Sequence, residues 1–381
     1  MNIREFSWKC LRRITWGLSG LFPVKGNKIV ISSYYGRGYS DNGRAIVDKL
    51  LQGDRPLDIV WLLKDLKSAD TLPQGVRGVK LESCRGIYEM ASARLWIDNC
   101  RKWRYVRKKP NQLYMQTWHG SLGVKKIEAD AEEAIGPEYM ESARKDTSMT
   151  DVMLSNSDFF TGLCRRAFGF EGPVLECGCP RNDIIINGST ALNASIREYF
   201  NLPGDAKLCL YAPTFRKDFS LTAYDLDYSR LKVALESKFG GRWVILVRLH
   251  PNIFAKSSEL NLSGEDIVNA SYYDDMQDLL VASDMLITDY SSSMFDYFMS
   301  EKPVFVYASD IASYADDRGF YFELNQLPFG LAESNDQLMS LVESFDQEQY
   351  KQNIRTWAGS IGLVEKGTAS EQVCRWIYDH M

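Results

Sequence analysis

Two of the three histidines in this 381-residue chain stand in segments suited to chemistry. His119 lies in Gln116-Thr117-Trp118-His119-Gly120, and His250 in Arg248-Leu249-His250-Pro251-Asn252. Each follows an apolar run that reads as a buried strand, Leu113-Tyr114-Met115 and Val244-Ile245-Leu246-Val247. Histidine exchanges a proton near neutral pH, and ligands in open α/β folds meet the carboxyl ends of strands. A scarce residue at two such ends, one in each half of the chain, suggests a site to which both halves contribute. Beside Trp118, His119 reads either as a satisfied structural residue or as a base. Gly120 favours the base, because glycine admits a ligand close to the backbone. His250 can donate to a phosphate oxygen.

Thr288-Asp289-Tyr290-Ser291-Ser292-Ser293 ends another apolar run and opens a helix. Free N–H groups at a helix start, with serine hydroxyls added, make a phosphate seat. The plainer reading is that one serine caps the helix. Tyr211-Ala212-Pro213-Thr214-Phe215-Arg216-Lys217 is a further strand end, where Arg216 can grip a phosphate bidentately or sit at the surface. In Gly178-Cys179-Pro180-Arg181-Asn182-Asp183, Asp183 is read as a cap for 184–186 and Arg181 as its partner.

These residues need a scaffold. The chain is 45% hydrophobic and long enough for two domains. Strand and helix patterns alternate. Strands are expected at 28–33, 57–62, 79–81 and 95–98, then again at 208–211, 243–247, 285–288 and 303–307. Helices lie between them, one of them opened by Ser40-Asp41. This rhythm implies parallel βαβ units. The fold class is α/β, with two Rossmann-like domains facing across a cleft. Polar residues at 187–195 and the Pro203-Gly204-Asp205 turn mark the linker. The first domain is expected over 23–195 and the second over 196–370, and a last helix (371–381) is drawn back to the first.

The net charge of −5 argues against a general nucleic-acid binder. Eight scattered cysteines, with Cys177-Gly178-Cys179 the one close pair, read as reduced core residues in a cytosolic setting rather than a zinc site. Positive charge is concentrated in two places. Residues 1–22 have apolar positions at helical spacing with basic residues between, and read equally as a helix on an anionic membrane or a helix packed on its own domain. The run Arg101, Lys102, Arg104, Arg107, Lys108 and Lys109 lies just before His119 and contains no acid. It reads as a contact for a phosphate-rich acceptor or a membrane, or as a solvated loop.

Taken in order, Gln116–Gly120, Arg144–Asp146 with Leu154–Ser157, Gly178–Asp183, Tyr211–Arg216, Arg248–Asn252, Ser283–Tyr297, Gly319–Glu323 and Leu327–Gly330 resemble the CDP-glycerol glycerophosphotransferase family. That family contains the teichoic acid primases and polymerases and related capsule enzymes. The resemblance spans nearly the whole chain. It implies a GT-B-like fold, with acceptor bound by the first domain and nucleotide by the second. It implies transfer of glycerol phosphate from CDP-glycerol, or of a related alditol phosphate from CDP-ribitol, to an acceptor hydroxyl, with release of CMP. The acceptor would be a polyol phosphate, a lipid-linked precursor or a glycan. By resemblance His119 is the base and His250 meets the donor pyrophosphate. Arg216, Ser292, Ser293 and Asp289 fall on donor-phosphate positions, and Asn182 and Glu323 are carried with them. A peripheral place on the cytoplasmic face of an anionic membrane is also implied. The family's longer polymerases carry extra N-terminal sequence, which counts against long-chain polymerisation here.

The chemistry agrees with this. A neutral hydroxyl nucleophile benefits from a base, and cations and helix dipoles stabilise a departing phosphate ester. No Asp, Glu and His cluster has metal-ligand spacing. A charge clamp made by protein is therefore expected rather than a built-in metal, with Mg2+ entering only on the donor diphosphate. The alternatives are a GT-B glycosyltransferase using a nucleotide sugar and a non-catalytic scaffold of envelope assembly.

Overall fold

The apolar runs assemble into two sheets, both wholly parallel, in a computed structural model that describes residues 15–216, 224–250, 266–314 and 319–381, with Ile253 and Gly264 besides. The first sheet comprises β1 (Lys25–Ser32), β2 (Asp58–Leu63), β3 (Val76–Lys80), β4 (Ala93–Asp98), β5 (Leu113–Gln116), β6 (Val152–Ser155) and β7 (Val174–Glu176). Their order is β3-β2-β1-β4-β5-β6-β7. The second comprises β8 (Lys207–Ala212), β9 (Trp243–Val247), β10 (Ile267–Asn269), β11 (Met285–Thr288), β12 (Val304–Tyr307) and β13 (Gly330–Ala332), in the order β10-β9-β8-β11-β12-β13. Each is a doubly wound sheet whose strand order reverses once, between β1 and β4 in the first and between β8 and β11 in the second. Those reversals are where open α/β sheets leave a crevice for ligand.

Near-continuous apolar strands are required because helices cover both faces of such a sheet. On one face of the first sheet Ile29, Ile31, Trp61, Leu95, Ile97 and Met115 pack with Ile46 and Val47 of the helix Asp41–Leu50. Val30, Val60, Leu62, Trp96 and Tyr114 take the other face, with Ile87 and Met90 of the helix Cys84–Ser92. In the second sheet, Cys209, Tyr211, Ile245, Val247, Met285, Ile287 and Phe305 form the core with Leu231 and Leu235 of the helix Tyr228–Phe239.

The chain divides into two units. The first runs up to Ser121 and includes Ile127–Asp183 and Val364–Met381; the second holds Leu122–Lys126 and Ile184–Leu363. The division therefore falls at Asp183, and the stretch 187–195 read as linker contains the start of the helix Thr190–Tyr199, capped by Ser189. A hydroxyl two residues after Asn187 caps better than it links. In the first unit the helix Ala369–His380 lays Ala369, Val373, Cys374 and Ile377 on the sheet. Leu122–Lys126 joins the second unit through the antiparallel bridge Lys125↔Phe320 and the bonds Lys126 N to Gly319 O and Tyr321 N to Val124 O.

Most of the expected 1–22 surface helix lies outside the described residues. In its described end Trp16 is buried and meets Trp96 edge to face at 6.4 Å. Lys28, at the start of the expected strand 28–33, is interior and paired with Glu89 at 2.5 Å.

Candidate active site

His119 sits three residues beyond the end of β5, and the strand reversal between β1 and β4 supplies its neighbours. Its Nδ1 lies 2.6 Å from the carbonyl oxygen of Asn99, just after β4. A carbonyl only accepts, so Nδ1 carries the proton and Nε2 keeps its lone pair in the neutral ring. Burial pushes the His119 pKa down, and the nearby Arg181 cation adds to this, against the opposing pull of the Asn99 carbonyl and Asp41. The ring is therefore neutral at pH 7. It stacks on Trp118 at 4.5 Å and faces Tyr34 at 5.7 Å.

The loop holding this ring is wound tightly. Trp118 has φ +53°, and Tyr34, Tyr35, Asp41 and Glu128 are also left-handed, with φ between +46° and +63°. Non-glycine residues rarely adopt this conformation, and each such residue needs surrounding bonds to hold it. Gln116 Oε1 accepts from Trp118 N (2.9 Å), and Asn42 Nδ2 donates to Trp118 O (3.0 Å). Asn99 Oδ1 accepts from Tyr34 N (2.8 Å). Tyr34 Oη donates to Asp41 Oδ2 (2.8 Å), which also receives Arg181 Nη1 (2.8 Å). Burial raises the Asp41 pKa, but Arg181, the Asn42 N–H, the Asn99 amide and Tyr34 outweigh it, and the carboxylate is held below its ordinary value. The result is a cavity of about 280 Å³ lined by Tyr34, Tyr35, Arg37, Cys100, Trp118 and His119, with Arg101 and Tyr139 completing the wall. That is near the lower end of small-molecule sites. Burial, with Asp98 and Asp41 behind it, pushes the Cys100 thiol far up, so Cys100 stays protonated.

The second unit repeats the topology with different chemistry. At its strand reversal, Thr214 and Arg216 follow β8, Asp289 follows β11, and Asp310 follows β12. Arg216 Nη2 meets Asp289 Oδ2 at 2.9 Å, and its Nε meets Asp310 Oδ2 at 2.6 Å. Nη1 donates to the carbonyl and hydroxyl oxygens of Thr214, both at 2.8 Å. The guanidinium also lies over Tyr314 (4.6 Å) and Tyr290 (5.1 Å), whose rings stack at 3.6 Å. Burial works against the Arg216 charge, but Asp310 and Asp289 hold its pKa above the ordinary value. Lys125 Nζ donates to Tyr314 Oη. Ser291 Oγ accepts from Ser293 N (3.2 Å) and Ser293 Oγ (2.9 Å), and so supplies the side-chain bond at the start of the five-residue helix Ser293–Tyr297, whose N-cap position is Ser292. Ser292 makes no capping bond. His250 tilts against Phe215 at 5.6 Å, and its carbonyl accepts from Ile253 N. Pro251, Asn252 and Lys217 lie outside the described residues.

The sequence profile of one family, described as CDP-Glycerol:Poly(glycerophosphate) glycerophosphotransferase, matches residues 15–379. The chain belongs to this family. A teichoic acid poly(glycerol phosphate) polymerase of Staphylococcus epidermidis is 32% identical over 92% of this chain and 50% of its own length. The chain thus spans about half the length of the first curated relatives it matches. A teichoic acid glycerol-phosphate transferase of Staphylococcus aureus is 29% identical and is covered over 96% of both chains. Among solved structures, the wall teichoic acid polymerase TagF superposes with a TM-score of 0.84 at 30% identity, covering 100% of this chain and 98% of the other. A TagF histidine-to-asparagine variant soaked with CDPG superposes equally well.

Several residues of this glycerophosphotransferase-family chain lie elsewhere than the sequence suggested. Asn182 is fully buried in the first unit, where its Nδ2 donates to Glu365 Oε1 (3.1 Å), as do Cys179 N and Asn156 Nδ2. It clasps the returning C-terminal segment, within the first unit. Gly178 is needed there, since a Cβ would lie 2.5 Å from the Glu365 carboxylate. Asp183 caps Ala369 and Ser370 rather than its own helix, and Arg181 pairs with Asp41 instead. Arg216 is not an unengaged phosphate grip, because its nitrogens are spent on two carboxylates and Thr214. Glu323 is exposed at the start of a short turn.

The basic run is not one surface. Arg101 is buried between Glu128 (2.7 Å) and Asp146 (3.1 Å), and Lys102 is buried against Asp98 (2.6 Å). Lys108 pairs with Asp151, and Lys109 donates to the carbonyls of Phe22 and Ala91. The acids come from distant segments, which a local charge count omits. Arg104 and Arg107 alone in the run are exposed cations. Sequence reading missed Tyr34, Asn99 and Asp310 as site residues; the positions just after β1, β4 and β12 were the available signal. Among the described residues no group of three or more His, Cys, Asp or Glu is placed to hold a metal, and no helix is long and apolar enough to cross a membrane.

Proposed function

We propose that this chain transfers glycerol phosphate, or a closely related alditol phosphate, from a CDP-alditol to an acceptor hydroxyl in teichoic acid or capsular polymer synthesis. The observation that carries the reading is His119: a neutral imidazole, anchored through Nδ1, that lines a cavity with Nε2 available as a base. The first unit takes the acceptor and the second the donor. The acceptor oxygen attacks the phosphorus bearing the alditol. His119 Nε2 takes the hydroxyl proton, and the bond from that phosphorus to the bridging oxygen breaks. CMP leaves with that oxygen and the electron pair. General-base help of this kind contributes roughly 10²–10⁴-fold.

The Ser292 hydroxyl, the N–H groups at the start of Ser293–Tyr297, and His250 are assigned to the donor phosphates. Arg216 reaches them by exchanging Asp310, the more exposed of its two carboxylates at 21% against 2% for Asp289. Magnesium enters only as a counter-ion carried by the diphosphate. The reaction is placed at the cytoplasmic face of the membrane, where a nucleotide donor meets a lipid-linked or polyol-phosphate acceptor.

The test is CMP release by the whole chain with CDP-glycerol, CDP-ribitol and a UDP-sugar in parallel, each with and without a polyol-phosphate acceptor. Acceptor-dependent CMP from one CDP-alditol, lost in His119→Ala with donor binding intact, is the expected result. UDP release instead would make the chain a glycosyltransferase, and no nucleotide binding would make it a scaffold.

A further inference from the structure

Outside the cavity, the same face of the first unit displays a group of residues that its stability does not explain. Among the described tryptophans Trp103 alone is exposed, at 43%. Its ring lies 5.6 Å from Tyr35, which lines the cavity and is itself 40% exposed. Tyr105 stacks behind Trp103 at 6.4 Å with an interplanar angle of 4°. The turn that presents Trp103 is closed by Val106 N donating to the Trp103 carbonyl. Aromatic faces held open to water beside a ligand cavity are unlike the singly scattered apolar residues of an ordinary surface.

The cations follow the same line. Arg37 lines the cavity and is exposed. Arg104 and Arg107 flank the aromatic turn and are exposed. None of the three makes a side-chain ion pair among the described residues, whereas Arg101, Lys102 and Lys108 of the same region are all paired to carboxylates. The Lys145 ammonium is pushed down, first by burial and then by Arg107 and Arg104, and no carboxylate offsets them. Behind the rim the carboxylates of Asp98, Glu128 and Asp146 reach Tyr35, but the three exposed guanidiniums have no carboxylate of their own among the described residues, and cations so placed attract a polyanion.

We propose that the rim of the His119 cavity is a subsite for the phosphodiester chain behind the acceptor's terminal alditol. Tyr35 and Trp103 offer faces for the alditol carbons, and Arg37, Arg104 and Arg107 hold the phosphates. This rests on the reading that the cavity takes the acceptor hydroxyl. It adds a preference: an acceptor already carrying phosphodiesters is bound better than a neutral one with the same terminal group. Arginine suits the task because its planar fork matches a phosphate bidentately. Aromatic faces suit an alternation of carbon and anion, because they bury the carbon stretches between charges.

The experiment compares two soluble acceptors with the full chain: a short oligo(glycerol phosphate), and a neutral glyceryl glycoside lacking any phosphodiester. In the double variant Arg104→Gln/Arg107→Gln, KM for the oligomer should rise about tenfold at low salt. Its kcat, the donor KM, and KM for the neutral acceptor should stay as in the wild type. Trp103→Ala should raise the oligomer KM in the same selective way. Added salt should raise the wild-type KM and move that of the double variant less. Equal KM for the oligomer in wild type and both variants would overturn the proposal. So would a loss confined to binding of phosphatidylglycerol vesicles, which would make the rim a membrane contact. If the wild type turns over no CDP-alditol, the functional reading has failed instead. Direct calorimetric binding of the oligomer to wild type and double variant then still decides the subsite.

Discussion

The two strand reversals solve the same geometric problem with opposite materials. Around His119 the ring and the turn that carries it are held by neutral hydrogen bonds to a tightly wound backbone, and the buried ion pairs, Asp41–Arg181 and Arg101 with Glu128 and Asp146, stand behind them. Around Arg216 the backbone is relaxed and the order comes from charge, one guanidinium between two carboxylates and two stacked tyrosines. A base must stay neutral and fixed, so carbonyls and amides suit it. If Arg216 meets the donor diphosphate as proposed, it must exchange an anion, and Asp310, the more exposed of its two carboxylates, is the one it can release. Two sheets with the same strand reversal therefore present different chemistry at it.

The sharpest test of the contrast is His119→Gln. It should lower kcat by roughly 10²–10⁴-fold while leaving CDP affinity and thermal stability near wild type; a stability loss of comparable weight would make His119 a structural residue. The pH profile sharpens the same point. On the proposed base role neutral His119 is the active form, and burial lowers its pKa. Activity should therefore fall only as pH drops through a value below the ordinary 6.5, and an acid limb above 6.5 in kcat/KM would contradict the neutral-bond description.

In the second unit the large effect should be on stability. Asp289→Asn removes one partner of a buried pair and should cost about 3 kcal/mol in urea unfolding of the whole chain. A near-neutral result would show that Asp310 alone suffices for Arg216. Returning to the first unit, Asn42→Ala frees the Trp118 carbonyl and the Arg181 N–H together. About 1–3 kcal/mol should be lost, with a drop in kcat as the His119 turn relaxes. Ser292→Ala should be the mildest, within about 0.5 kcal/mol of wild type in stability, because the Ser292 hydroxyl makes no capping bond. A weaker CDP-alditol Kd at unchanged stability is the expected signature of a phosphate contact.

Sequence reading reached the sheets because their signal is local. Runs such as Val244–Val247 must be buried strands, and the alternation with helices forces parallel order. It reached His119 because scarcity and a strand end coincide there. It did not reach the partners. Arg181 finds Asp41 from 140 positions away, and Arg216 finds Asp310 from 94. Such pairs are set by which strand ends the topology brings together, and neighbouring residues in sequence carry no trace of it. The same cause misled the reading of Asp183, whose nearest helix start is its own but whose bonded one is Ala369 and Ser370. In the basic run, Arg101 and Arg104 look alike in sequence. Glu128 and Asp146 separate them.

The threading of the chain sets the timing of its birth. The first sheet is complete once β7 has been made, but the helix Ala369–His380, which packs on Ile46 and Val47, arrives only after residues 184–363 have been synthesised. At the usual rate of roughly 5–20 residues per second, that wait is on the order of ten to forty seconds. Throughout it the nascent first unit presents a bare apolar face and the unfilled cap partners of Asp183. That interval is when a chaperone has most to do, and a chain ended just before Val364, though nearly full length, would keep that apolar face bare and be poised to aggregate.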